Sequence, residues 1–240
     1  LLKVEGAKLA WFELTEGSMM RLKAWVMVMA VFLVSRGGLA RAEIGADLWT
    51  WLDITYWQEG PTRLHLFSHQ AISEGEGPIV QLISPRVKHR ALPWLELGAG
   101  LSALRIQNLL TQEFADQVRP EIEVSPLFKL GEAWEIHFRN RGEIRWDDWG
   151  GKPRPRLRHR LQVTRRLTGL GPLTAAYFSN EWLIEFDRGD WVENRLVPAA
   201  ISLRLTEWAV VDFFFMQRSF RFDDGWRSDQ IAGVFLKLQL

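Results

Sequence analysis

From Ala46 onward, apolar and polar residues alternate with a period of two, and no long helical pattern interrupts them. Such alternation predicts β-strands with two different faces, because successive side chains of a strand point to opposite sides. Trp134–Trp146 is the clearest stretch. One face carries Trp134, Ile136, Phe138, Asn140, Gly142, Ile144 and Trp146, and the other Glu135, His137, Arg139, Arg141, Glu143 and Arg145. Twelve steps of ~3.3 Å make about 40 Å of strand, and a tilt of about 45° projects this onto about 28 Å. That matches the apolar band of an outer-membrane barrel with an aromatic girdle at each edge.

The next segments repeat the design. Leu157, Leu161, Val163 and Leu167 share a face with His159 and Arg165, against Arg154, Arg156, Arg158, Arg160, Gln162 and Thr164. After a turn at Thr168–Pro172, Ala176, Phe178, Trp182, Ile184 and Phe186 alternate with Tyr177, Ser179, Glu181, Glu185 and Asp187. An antiparallel hairpin whose paired numbers sum to about 341 sets Arg160 opposite Glu181 and Arg156 opposite Glu185. Facing opposite charges are what a charged lumen requires, since unpaired buried charge is costly.

Further strands follow the same rule. Val118, Ile122, Val124, Phe128 and Leu130 alternate with Arg119, Glu121, Glu123 and Lys129. Val197, Ala199, Ile201, Leu203 and Leu205 alternate with Ser202 and Arg204. In the very apolar Trp208–Phe222, Asp212 and Arg218 turn the even positions inward. Val234, Leu236, Leu238 and Leu240 point outward against Gly233, Lys237 and Gln239. Candidate strands at 46–57, 62–72, 78–88 and 93–107 bring the count to eleven. Single-chain bacterial barrels usually have even numbers, so ten or twelve is expected, with one strand merged or split near the amino terminus. Counting back from a periplasmic carboxyl end, Thr206-Glu207, Thr168–Pro172 and Gly131-Glu132 become periplasmic turns. Asp223–Trp226, Arg188–Asp190, Asp147–Pro153 and Asn108–Asp116 become outer loops. The fold expected is therefore all-β: an antiparallel transmembrane up-and-down barrel of 10–12 strands over residues 43–240, preceded by a cleavable signal helix.

Composition sharpens this picture. Mean hydropathy is −0.10, as for a soluble protein, yet the chain holds 13 Trp, a residue suited to places wet on one side and apolar on the other. A barrel with one lipid face and one polar lumen reconciles the two. The formal net charge of +1 gives no excess for nucleic acid, and the lack of cysteine rules out disulfides and thiolate metal sites. A soluble β-sandwich or lipocalin-like barrel is the rival, because alternation alone does not say which side is lipid. Arg/Glu-rich faces favour the membrane, as do Trp57, Trp94, Trp134, Trp146, Trp182, Trp191, Trp208 and Trp226 near strand ends. Of these, Trp134, Trp146, Trp182, Trp208 and Trp226 are the expected membrane-interface aromatics.

The amino-terminal region has the order of a secretory signal. Arg21 and Lys23 precede the apolar run Ala24–Val34, and Ala40-Arg41-Ala42 forms a cleavage site before Glu43. Eleven apolar residues fall short of the ~20 that a membrane helix needs. The signal is expected over 19–42, with the natural start at Met19 or Met20 and 1–18 a non-native upstream extension. Localisation follows: export by a cleaved signal to the outer membrane of a Gram-negative bacterium.

Residues 156–164 (RLRHRLQVT), 178–182 (FSNEW), 193–196 (ENRL) and 213–219 (FFFMQRS) together resemble an uncharacterised bacterial outer-membrane β-barrel family known only as a domain of unknown function. Its members show an Arg-x-Arg-rich strand, a Ser-Asn-Glu strand and an Asn-Arg-x-Arg-like strand in this order. Here Val197 and Pro198 follow Asn194-Arg195-Leu196, so the last motif is incomplete. Leu95–Leu101 and Glu121–Phe128 are similar to the family's Gly-containing and acidic strands. The resemblance covers most of 46–240 and implies a barrel, but no activity.

The chemistry on offer is sparse. The histidines are His65, His69, His89, His137 and His159. His65 and His69 share a strand face about 13 Å apart, too far for one metal. No Gly-x-Ser-x-Gly, His-Glu-x-x-His or phosphate-binding glycine loop occurs, and no cofactor or metal is implied. The expected lumen network comprises Arg154, Arg156, Arg158, Arg160, Glu181, Glu185, Glu135, Arg139, Arg141 and Glu143. Arg154–Arg160 could attract anions, but the neighbouring acids are expected to cancel its field. Three readings remain: a structural or narrow-pore barrel with a charge-paired lumen, an outer-membrane lipid-modifying hydrolase (of lipid A or phospholipid) using His137, and a soluble exported β-barrel binding a small ligand. The partners expected are outer-membrane lipid and, during insertion, the barrel-assembly machinery.

Overall fold

The computed structural model describes residues 47–73, 77–107, 113–148, 152–186, 189–222 and 225–240. Residues 1–42, where the upstream extension (1–18) and the signal (19–42) are expected, and Asp187 lie outside the described residues. Among the described residues there are eleven strands: β1 (Asp47–Glu59), β2 (Thr62–Ser73), β3 (Gly77–Leu92), β4 (Leu95–Gln107), β5 (Phe114–Leu130), β6 (Trp134–Asp147), β7 (Arg154–Arg166), β8 (Leu173–Glu185), β9 (Asp190–Arg204), β10 (Ala209–Phe222) and β11 (Gly225–Gln239). Each pairs antiparallel with the next, and β1 closes on β11 to complete the barrel.

The strand count is eleven, within the expected range, and the expectation of an even number is corrected. Nothing was merged or split: each alternating stretch is one strand. Hairpin-linked strands reverse direction at every step, so an odd set leaves the first and last running the same way. Closure then needs one parallel pair, with Trp51 level with Phe235 and Ile54 level with Leu238. Asp47 and Leu240 consequently lie at opposite rims. At the Leu240 rim, Gly131 takes the left-handed φ of 64° that the short bend between β5 and β6 requires.

The β7–β8 register is the one the charges imply: Arg156 lies opposite Glu185 and Arg160 opposite Glu181. In β10, Asp212 and Arg218 do face inward, with Phe214 and Met216. The phase of β9 is corrected at its centre. Val197 points into the lumen and is buried, whereas Ile201 is exposed on the outer face. Both neighbours slip register at this point: β8 between Tyr177 and Ser179, and β10 between Phe215 and Gln217. An extra residue beside Pro198 forms a bulge, as expected where proline cannot donate to the ladder.

The lumen is not uniform. Trp49, Ala71, Val197, Phe214, Met216 and Ile231 form a buried apolar cluster on the β1, β2 and β9–β11 side. Trp51 stacks on Phe214 at 4.6 Å between ring centroids. Charged side chains fill the side formed by β3–β9. On the outer face of the closing seam, Leu52, Ile54, Ala209 and Leu238 make a second buried cluster with Leu66, Leu236 and Leu240.

Candidate functional site: the charged lumen

Strand alternation carries the charged residues of β3–β9 to one interior surface, where long side chains choose among several partners. Arg141 bonds Glu123 across the β5–β6 ladder at 2.7 Å and reaches diagonally to Glu121 at 3.1 Å. Arg86 holds the other oxygen of Glu121 at 2.7 Å. Arg156 pairs with its cross-strand neighbour Glu143. Arg158 takes Glu181 in a fork, donating from Nε at 3.1 Å and from Nη2 at 2.9 Å. Arg139 reaches past β7 to the same carboxylate at 2.5 Å. Glu193 receives Arg195 at 2.7 Å and Arg218 at 2.5 Å. Glu121, Glu123, Glu143, Glu181 and Glu193 are all buried, so their ion pairs are shielded from solvent.

Direct opposition in the ladder therefore does not decide the pairs. Arg156 and Glu185 face each other in register, but Glu185 bonds Arg145, two strands away. Arg160 faces Glu181, but that acid serves Arg158, Arg139 and, at 3.8 Å, Arg195. Inside a closed barrel the walls converge, and a side chain of six or seven atoms spans diagonal and next-but-one positions. Of the remaining expected network members, Arg154 binds Asp147 near the Asp47 rim. Glu135 binds Arg166 at 2.9 Å near the opposite rim, on a half-exposed pair outside the inner network.

Sequence reasoning left Arg86, Arg119, Glu121, Glu123, Glu193, Arg195 and Arg218 out of the network. Alternation had already set most of them on inward faces; what was missing was which strands face each other across the lumen. Lys237 and Asp212 were also missed. The wholly buried Asp212 accepts from Lys237 at 2.5 Å and from the Tyr177 hydroxyl at 3.1 Å.

The expected interface aromatics divide between the rims. Trp134 and Trp208, with Trp57 and Trp94, lie outward near the Leu240 rim, and Trp94 stacks on Phe128 at 6.4 Å. Trp146 and Trp226, with Trp191, lie near the Asp47 rim, and Trp191 meets Trp226 edge-on at 5.6 Å. Trp182 differs: it is only part-exposed and lies inside the band, level with His159 and Asn194. Beside it the outer face carries two polar pairs, His159 Nδ1 with Asn140 Oδ1 at 2.8 Å and Asn194 Nδ2 donating to Asn180 Oδ1 at 2.7 Å.

Between the charged and apolar sides lies a cavity of about 340 Å³, lined by Trp49, Trp51, His69 and His137 among others. Among the described residues, eleven Lys or Arg and six Asp or Glu side chains also line it. The lumen is thus ion-paired, but its lining is not neutral. The acids do not cancel the arginine field, because single carboxylates are shared by two or three guanidinium groups. Among the described residues no histidine is hydrogen-bonded to a serine. His65 uses Nδ1 for Asp53 at 2.9 Å and Thr55 at 3.2 Å, while its Nε2 is buried without a partner.

Residues 46–229 match the family model described as "Protein of unknown function (DUF2490)". No curated protein matches. Among solved structures, an anion-selective porin from Comamonas acidovorans is similar at 10% identity and a TM-score of 0.40, over 76% of this chain and 53% of the porin. The chain thus spans about half the length of that porin.

Proposed function

The chain belongs to the DUF2490 family of proteins of unknown function, and from that premise we propose that its barrel sits in the outer membrane of a Gram-negative bacterium as a structural or narrow-pore protein. A cleaved signal over 19–42 would export it, the barrel-assembly machinery would insert it, and lipid would be its immediate surroundings. The observation that carries this reading is the inversion of the two faces. A soluble barrel hides apolar side chains inside and shows charge outside. Here Leu101, Val118, Ile122, Ile144, Phe213 and Phe215 are exposed outward, while Arg141, Glu143, Arg156 and Glu181 are buried inside. A largely apolar exterior of this extent suits lipid rather than water, and tryptophans near both rims suit the two interfaces.

The filled lumen favours a narrow passage over an open one. The Arg139–Glu181 and Arg145–Glu185 pairs each bridge strands two apart, and the Trp49–Phe214 side is packed with apolar groups. The test is membrane fractionation with gel mobility before and after boiling, followed by recording in planar bilayers. The protein should stay with the outer membrane after a carbonate wash, migrate faster unboiled, and pass little or no current. Release by the wash would sink the membrane assignment; a large, steady conductance would sink the narrow lumen.

A further inference from the structure

We propose that the lumen is a binding site for a small organic anion bearing phosphate or carboxylate groups, anchored by Arg160. The inference rests on the narrow-lumen reading above and adds a ligand class to it. Arg139, Arg160 and Glu181 lie level across β6, β7 and β8. Register offers Glu181 to Arg160, yet both oxygens of Glu181 are taken by Arg139 and Arg158, with Arg195 close by. Among the described residues the Arg160 side chain has neither an ion pair nor a hydrogen bond, and its Nε is buried without a partner. Arg160 lines the cavity.

The shortage extends beyond one residue. Glu143, Glu181 and Glu193 between them serve Arg119, Arg139, Arg156, Arg158, Arg195 and Arg218. Among the described residues, eleven basic side chains face six acidic ones around the cavity. Glu123 grips Arg141 and Lys88 from just outside that lining, and counting it leaves the surplus in place. The whole chain is nearly neutral at +1, so the surplus is a property of this cavity. Like charges crowded in a poorly solvated space repel, and a bound anion relieves them. A guanidinium fork matches the oxygens of phosphate or carboxylate, a geometry that chloride lacks. The cavity of about 340 Å³ is at the small end of ligand sites, which run from roughly 300 to 1,000 Å³. It has room for an anion with a short carbon frame, for which Trp49 and Trp51 supply an apolar wall.

The test uses the detergent-extracted protein, so it does not depend on conductance. Thermal unfolding is followed against inorganic phosphate, succinate, and chloride at matched ionic strength. Phosphate or succinate should raise the unfolding temperature saturably while chloride does not, and the stronger of the two identifies the preferred head group. Arg160→Gln should keep the unboiled gel mobility and weaken the oxoanion response about tenfold or more, whereas Arg166→Gln at the rim should leave it unchanged. Identical curves for oxoanions and chloride would overturn the proposal. So would a wild-type response in Arg160→Gln. If that variant does not fold, the wild-type comparison of phosphate and succinate with chloride decides alone. Failure of the narrow-lumen reading would be seen separately, as a large conductance in the bilayer recording.

Discussion

Glu181 holds Arg139 and Arg158 at 2.5 and 2.9 Å with almost no access to solvent. Replacing it with glutamine would leave those guanidinium groups buried against one another. Removing one partner of a buried ion pair costs about 3–5 kcal/mol, so Glu181→Gln should lower the urea midpoint by that much stability. Glu135→Gln, which loses a half-exposed pair with Arg166, should cost less than about 1 kcal/mol. Equal losses in the two variants would show that the inner network is as wet as the rim. A second residue-scale effect is steric. Gly233 lies level with Trp49 and Phe214 on adjacent strands, and a Cβ at that position would overlap the Phe214 ring. Gly233→Ala should destabilise by about 1–3 kcal/mol through overpacking. Adding Phe214→Leu should recover part of the loss, so the double variant should fall short of the sum of the singles.

At the scale of elements the sequence was legible wherever a strand kept its period. The eleven alternating stretches are the eleven strands, and the β7–β8 register follows from matching two arginines to two glutamates. The failures share a cause: each depended on what another strand does. Alternation through Val197, Ala199 and Ile201 sets Val197 outward; the bulge beside Pro198 turns it inward. Arg160 was matched to Glu181 because they are opposed, but Arg139 and Arg158 occupy that acid. The even count came from the habit of barrels, not from this chain's residues. The parallel seam can be checked directly, since the chain contains no cysteine of its own. Thr50 is level with Val234 on the outer face. The double variant Thr50→Cys, Val234→Cys should form a disulfide on oxidation, seen as altered mobility on a non-reducing gel. Thr50→Cys with Leu238→Cys, four residues out of register, should not. If ten or twelve strands closed the barrel, β1 and β11 would not meet in this register and neither pair would link.

At the scale of the molecule, the odd strand number and the inverted faces together set a sidedness. The five hairpin turns at the Leu240 rim and the loops at the Asp47 rim lie at opposite ends of the barrel, because every strand runs from one rim to the other. Once the barrel is inserted, the two sets must open to different compartments. On the outer-membrane reading proposed above, the mostly shorter turns would put the Leu240 rim on the periplasmic side. A protease site placed after Asp148, at the Asp47 rim, should then be cut in intact cells. The same site placed between Gly131 and Glu132 should resist until the outer membrane is permeabilised. Cutting at both sites in intact cells would contradict spanning altogether, and the reverse pattern would invert the barrel in the membrane. The outcome also bears on the lumen. Arg145–Glu185 and Arg154–Asp147 lie toward the Asp47 rim, so an anion arriving from the outer side would pass them before reaching Arg160. Arg145→Gln leaves Glu185 without its cation and turns that entrance net negative, so it should slow anion association more than it weakens binding at equilibrium, because a charge at the mouth acts chiefly on encounter.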